Sequence, residues 1–154
     1  MAKKPLLEFT DRGIYCAQGK FYIDPWKPVD DAVITHAHAD HAYFGHKRYL
    51  AHHLSKQVML YRLGNINLET IEYGETVNKN GVAITLYPAG HVIGSAQIKI
   101  EYQGEIWVVS GDYKTEDDGV CTPLSRYAAI TLYQNVPLAC RFTSGNRKRR
   151  FLTK

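Results

Sequence analysis

Residues 36–41 read His-Ala-His-Ala-Asp-His, so His36, His38, Asp40 and His41 put four metal-binding side chains into six positions. Imidazole and carboxylate are the donors preferred by Zn²⁺ and similar borderline ions. In extended chain His36 and His38 point to one side and can reach a single ion. Asp40 and His41 come after the backbone turns, where they can face a second ion nearby. Two further segments, Pro88-Ala89-Gly90-His91 and Ser110-Gly111-Asp112, each follow a predicted strand. Each carries a donor beside a glycine that lets the backbone approach closely. Together the three segments supply part of the ligand set that a two-metal site requires; such a site activates a water and clamps the attacking and leaving oxygens of an ester. Metal-assisted hydrolysis is the chemistry indicated.

These segments need elements to hold them. Phe21-Tyr22-Ile23 is a short β-type run closed by Asp24-Pro25, because proline cannot continue a ladder. Ala32-Val33-Ile34-Thr35 is apolar and β-branched, the pattern of a buried strand running straight into the histidines. Ser55 is placed to cap a helix through Val58, Leu60, Tyr61 and Leu63, and Gly64 to stop it. From Thr76 the period becomes two: Val82, Ile84 and Leu86 alternate with Ala83, Thr85 and Tyr87 after an Asn80-Gly81 turn. Gln97 to Tyr102 alternates again, Gln103-Gly104 turns, and Ile106 to Val109 is a wholly apolar strand. Hairpins with one or two helices predict a layered α/β (α+β) sandwich.

The composition is that of a globular domain, with 45% hydrophobic and 22% charged residues in 154, which excludes wholesale disorder. No apolar run approaches the ~20 residues that span a bilayer, so no membrane partner is expected. The lysines near the start have only Leu6-Leu7 behind them, unlike a secretory leader. Three widely spaced cysteines, Cys16, Cys121 and Cys140, give no disulfide framework, so a reducing cytoplasm is expected. The net charge of +4 is unevenly spread. Residues 124–154 hold seven basic side chains and no acidic one, so residues 1–123 are left at −3. Six of the seven histidines lie between His36 and His53. Among them His46, His52 and His53 read as surface groups or supports of the ligands, and Cys16 as a packed thiol.

The runs HAHADH, AGHVIGSAQ and VVSGDYKTE resemble the metallo-β-lactamase fold, in its β-CASP branch of nucleic-acid hydrolases. The stretch RGIYCAQGKFYIDPWKPVDDAVITHAHADH narrows the resemblance to bacterial ligase-associated DNA exonucleases and exonucleases of mRNA 3′-end processing. It covers residues 8–123 almost continuously. The resemblance implies the N-terminal part of an αββα sandwich, incomplete in this chain. It implies His36, His38 and His91 on one zinc, Asp40 and His41 on a second, and Asp112 bridging them. Asp40 would also orient the attacking water, so Asp40 and Asp112 are the expected catalytic residues. Zn²⁺ is the expected cofactor, as two ions, with Mn²⁺ as the alternative. Lys114, two residues past Asp112, could meet a substrate phosphate or be an exposed lysine. DNA or RNA is the implied partner, with DNA ligase or helicase association. A hydrolase of small esters or thioesters, and a non-catalytic nucleic-acid-binding module using the basic tail, are the alternative functions.

After Pro123 the resemblance and the acidic residues stop together. A single-base deletion near that codon explains both. Joining the last base of each codon to the first two of the next permits FEPVRCH across residues 124–130, and TFGLPVY across 136–143. Both strings resemble what the family carries after GDYKTE. Residues 1–123 are therefore expected to form part of the domain, and 124–154 an out-of-frame basic tail with no native fold. Poor solubility and little activity are expected of the chain alone.

Overall fold

The computed structural model describes residues 5–125 and 138–140. Six strands form the first sheet, in chain order: β1 (Leu7–Phe9), β2 (Ile14–Cys16), β3 (Phe21–Ile23), β4 (Asp31–Val33), β5 (Arg48–His52) and β6 (Leu68–Ile71). β1 to β3 pair antiparallel, whereas β3 to β6 run parallel. The second sheet has the order β11-β10-β9-β8-β7, built from β7 (Thr76–Lys79), β8 (Val82–Pro88), β9 (Ala96–Tyr102), β10 (Glu105–Ser110) and β11 (Leu138–Cys140). β11 pairs parallel with β10 and the other pairs are antiparallel. Apart from Leu124, Ser125 and the backbone of this strand, the tail lies outside the described residues.

The alternating sequence pattern decides what each sheet face meets. Phe21, Ile23, Val33 and Leu50 from the first sheet pack with Val82, Ile84, Leu86, Ile98 and Ile100 from the second. This is the core between the sheets. The opposite phase of the same strands, Ala32, Tyr49 and Ala51, turns outward with Ile34 onto Met59 and Leu63 of helix α1 (Lys56–Leu63). A one-residue slip would exchange these two faces.

Both hairpin turns form where expected. Asn80 and Gly81 have φ of 53° and 85°, and Gln103 and Gly104 have 49° and 79°. Positive φ at both central residues matches the twist of the flanking strands. Gly64 ends α1, its amide donating to the Leu60 carbonyl.

Two expectations need correction. Ser55 sits at the N-cap position but makes no cap bond; its hydroxyl donates to the Gly94 carbonyl at 3.1 Å instead. The strand expected over 32–35 stops at Val33. The Ile34 amide still reaches Leu50, but the Thr35 amide donates to the Asp24 side chain at 2.8 Å and leaves the ladder. Among the described residues, no helix is long and apolar enough to cross a membrane.

Candidate metal centre

Because β3 to β6 are parallel, the residues after each of them emerge at one edge of the sandwich. Asp24 follows β3, and Thr35 to His41 follow β4. His91 and Asp112 come after β8 and β10, which share a direction because both are antiparallel to β9. Amides of His41 and Ala42 donate to the His38 carbonyl and close the turn that brings Asp40 and His41 back beside His36.

The donors converge on Asp112. Its Oδ2 lies 3.8 Å from His36 Nε2 and 3.6 Å from His91 Nε2, and its Oδ1 lies 4.0 Å from His41 Nε2. His38 Nδ1 is 3.1 Å from His36 Nε2, and Asp40 Oδ2 is 3.7 Å from His41 Nε2. Two groups result, in which every donor atom lies within 4.8 Å of the others: His36, His38, His91 and Asp112, and beside it His36, Asp40 and His41. All six ligand residues expected from the sequence are thus brought together. The donors fit a metal chemically. The Nε2 of His91 is buried and has no hydrogen-bond partner among the described residues, as a nitrogen reserved for an ion would be.

A second layer fixes the ring orientations, and Asp24 is its key residue. The Thr35 hydroxyl donates to Asp24 Oδ2 at 2.6 Å, and His41 Nδ1 sits 2.6 Å from the same oxygen. The hydroxyl proton being spent, Thr35 Oγ1 can only accept from His36 Nδ1, 3.1 Å away. Both rings therefore carry their proton on Nδ1 and aim the Nε2 lone pair at the centre. Burial, then the neighbouring His41, push His36 down to about 3, so it is a neutral imidazole at neutral pH. Burial likewise lowers His91. Burial alone would lower His41 too, but the bond to Asp24 and the charges of Asp24, Asp40 and Asp112 hold it above its ordinary value.

Sequence reasoning missed Asp24, which it took only as the end of a strand. No local pattern announced it: only in the fold does Asp24 show a φ of 42° and a buried side chain, a strained position for an ordinary strand end. His46 and His52, read as surface groups or supports of the ligands, are both buried. His46 Nδ1 accepts the Val29 amide at 3.3 Å, which gives it a structural role. Ser95 accepts the amides of His91 and Val92 and so holds the loop that carries His91. The ammonium of Lys114 pairs with Asp118 at 3.2 Å.

No family model matches the chain. Among solved structures, a metallo-β-lactamase from Cronobacter sakazakii superimposes with a TM-score of 0.56 at 16% identity, over 87% of this chain and 71% of that one. The chain has the metallo-β-lactamase fold. A protein of unknown function from Enterococcus faecalis V583 superimposes with a TM-score of 0.62 at 14% identity, covering 78% of this chain and 33% of its own. In sequence, the chain is 31% identical over 128 residues to cleavage and polyadenylation specificity factor subunit 3-I of Arabidopsis thaliana, covering 62% of this chain and 18% of that protein. It is 47% identical over 51 residues to the endoribonuclease YSH1 of Yarrowia lipolytica, covering 33% of this chain and 6% of the relative. It is also 31% identical over 106 residues to a probable DNA ligase of Opitutus terrae, covering 66% and 10%. The β-CASP resemblance of the motifs agrees with these relatives, of which the chain spans less than a fifth in each case.

Proposed function

We propose that residues 1–123 carry the metal-binding part of a hydrolase of nucleic-acid phosphodiesters. The observation that carries this reading is the convergence of His36, His38, His91, Asp40 and His41 on Asp112 at one sheet edge. Nucleic acid is favoured over small esters by the relatives, one of which is named an endoribonuclease. Two zinc ions are proposed, one on His36, His38 and His91 and one on Asp40 and His41, with Asp112 shared; manganese is the alternative. Bound there, they would supply an activated water and offset charge on the phosphoryl oxygens.

The chain's own residues do the positioning. Asp24 and Thr35 lock the tautomers of His36 and His41. Asp40, with its side chain 56% exposed, is proposed to orient the attacking water. Lys114 is proposed to meet a backbone phosphate, for which its ammonium must leave Asp118. Exonucleolytic digestion is proposed from the resemblance, as is association with a DNA ligase or helicase. Residues 124–154 are proposed to be an out-of-frame tail.

The test compares the 154-residue chain with a version whose reading frame is restored after Pro123, each loaded with zinc or manganese. Substrates are linear and circular RNA and DNA, and a small thioester. The restored chain is expected to digest linear strands, Asp40→Asn to abolish this, and the 154-residue chain to turn over weakly. Cleavage of circles would replace the exonuclease assignment with an internal cut. Thioester hydrolysis without nuclease activity would overturn the nucleic-acid reading.

A further inference from the structure

The same edge of the sandwich holds a second cluster of donors that the centre does not use. His52 ends β5, His53 opens the turn of residues 53–55 that follows, and Glu72 follows β6, whose last residue Ile71 is paired with His52. Parallel pairing thus sets two imidazoles opposite one carboxylate. Glu72 Oε2 lies 2.8 Å from His53 Nδ1 and 3.8 Å from His52 Nε2, and the three donor atoms fall within 4.8 Å of one another.

His52 itself points to a missing ligand. It is 1% exposed, and its ring is stacked on Tyr73 with centroids 3.5 Å apart and planes 15° apart. Its Nε2 is buried with no hydrogen-bond partner among the described residues. A buried polar atom left so is costly, and native folds seldom keep one without a reason. The side chains of His53 and Glu72 are 43% and 63% exposed, which leaves a route for an ion to enter.

We propose that His52 Nε2, His53 Nδ1 and the Glu72 carboxylate form a further cation site, for Zn²⁺ or an ion of that class, separate from the centre at Asp112. Two imidazoles and one carboxylate are a donor set such ions take, with a fourth position left to water. Ligand atoms around tetrahedral zinc lie about 3.3 Å apart, given bonds near 2.0–2.2 Å. The His53–Glu72 pair must therefore open and the His52–Glu72 pair close, which the exposed side chains of His53 and Glu72 can do.

Binding has a structural signature. His52 Nδ1 now accepts the Leu54 amide at 3.3 Å, a long bond. An ion on Nε2 moves the ring proton to Nδ1 and opens that contact. The turn lies against the His91 loop: Ser55 donates to the Gly94 carbonyl, and Tyr73 donates to the Ser95 carbonyl at 2.8 Å. An added Cβ on Gly94, whose φ is +78°, would come within 2.4 Å of Ser55 Oγ, so the two segments are in close contact. An ion here would fasten the turn beneath the loop that carries His91. The inference does not depend on the substrate of the Asp112 centre.

The test is zinc retained per chain after dialysis, for the full chain and for His53→Ala/Glu72→Gln, with a thermal melt to confirm that the variant folds. Both substituted side chains are exposed. One ion fewer in the variant is expected, together with a zinc-dependent shift of the Leu54 amide resonance in the unsubstituted chain. Equal zinc in both chains, or a Leu54 amide that zinc leaves unmoved, would overturn the proposal.

Discussion

Asp24 stands twelve residues before the first histidine of the motif, yet two of the rings depend on it. Replacing it by Asn keeps the shape but sets an amide against the Thr35 hydroxyl or the His41 ring, each 2.6 Å from Oδ2. Supports of this kind cost about 10–100-fold in metal affinity when lost, and hydrogen bonds to a charged group contribute about 1.5–3 kcal/mol. Asp24→Asn is expected to lose both amounts, measured by chelator competition and urea unfolding. His52 gives a pH dependence of definite sign. Burial holds it at about 4 in the fold, whereas an unfolded chain protonates near 6.5. Above pH 6.5 neither state carries the proton. Between 6.5 and 4 the unfolded chain takes it and the fold does not, so stability falls as pH falls. The metal-free chain should lose about 1–2 kcal/mol from this group between pH 7 and 5. His52→Gln should flatten that part of the urea-unfolding profile, and an unaltered profile would count against the assignment.

At the scale of elements, the ends of strands β4 and β10 touch through Gly111. A Cβ there would come within 2.3 Å of Thr35 Oγ1 and 2.9 Å of Thr35 Cβ. Gly111→Ala must push Asp112 away from Thr35 and His36. A loss of about 1–3 kcal/mol is expected, with weakened zinc binding, read from a thermal melt and a zinc titration. The elements that could be read in the sequence are those with local causes. Asn80-Gly81 and Gln103-Gly104 each specify a tight turn, and the alternation of Val82, Ile84 and Leu86 specifies the buried face of β8. The clustering of donors was also readable, because four of them are packed into six positions. Asp24 and the His52–Glu72 contact were not. Each depends on parallel strands bringing together residues 11 to 20 apart, which no local pattern announces.

For the whole molecule, two sheets and their shared core hold together the six donors read from the sequence, within a chain that spans a small part of its relatives. The tail of residues 124–154 makes a prediction at this scale. The gene's nucleotide sequence is expected to show a family-like frame continuing past the Pro123 codon, one base out of register with the chain. Its absence would remove the out-of-frame proposal and return the basic tail to consideration as a nucleic-acid arm, whose binding would weaken steeply with salt. The two-ion centre is tested most directly by zinc retained per chain in the His53→Ala/Glu72→Gln background, with and without Asp40→Ala/Asp112→Ala. Two tight ions falling to at most one is the predicted result; no zinc in the background chain, or the same amount in both, would contradict the centre described here.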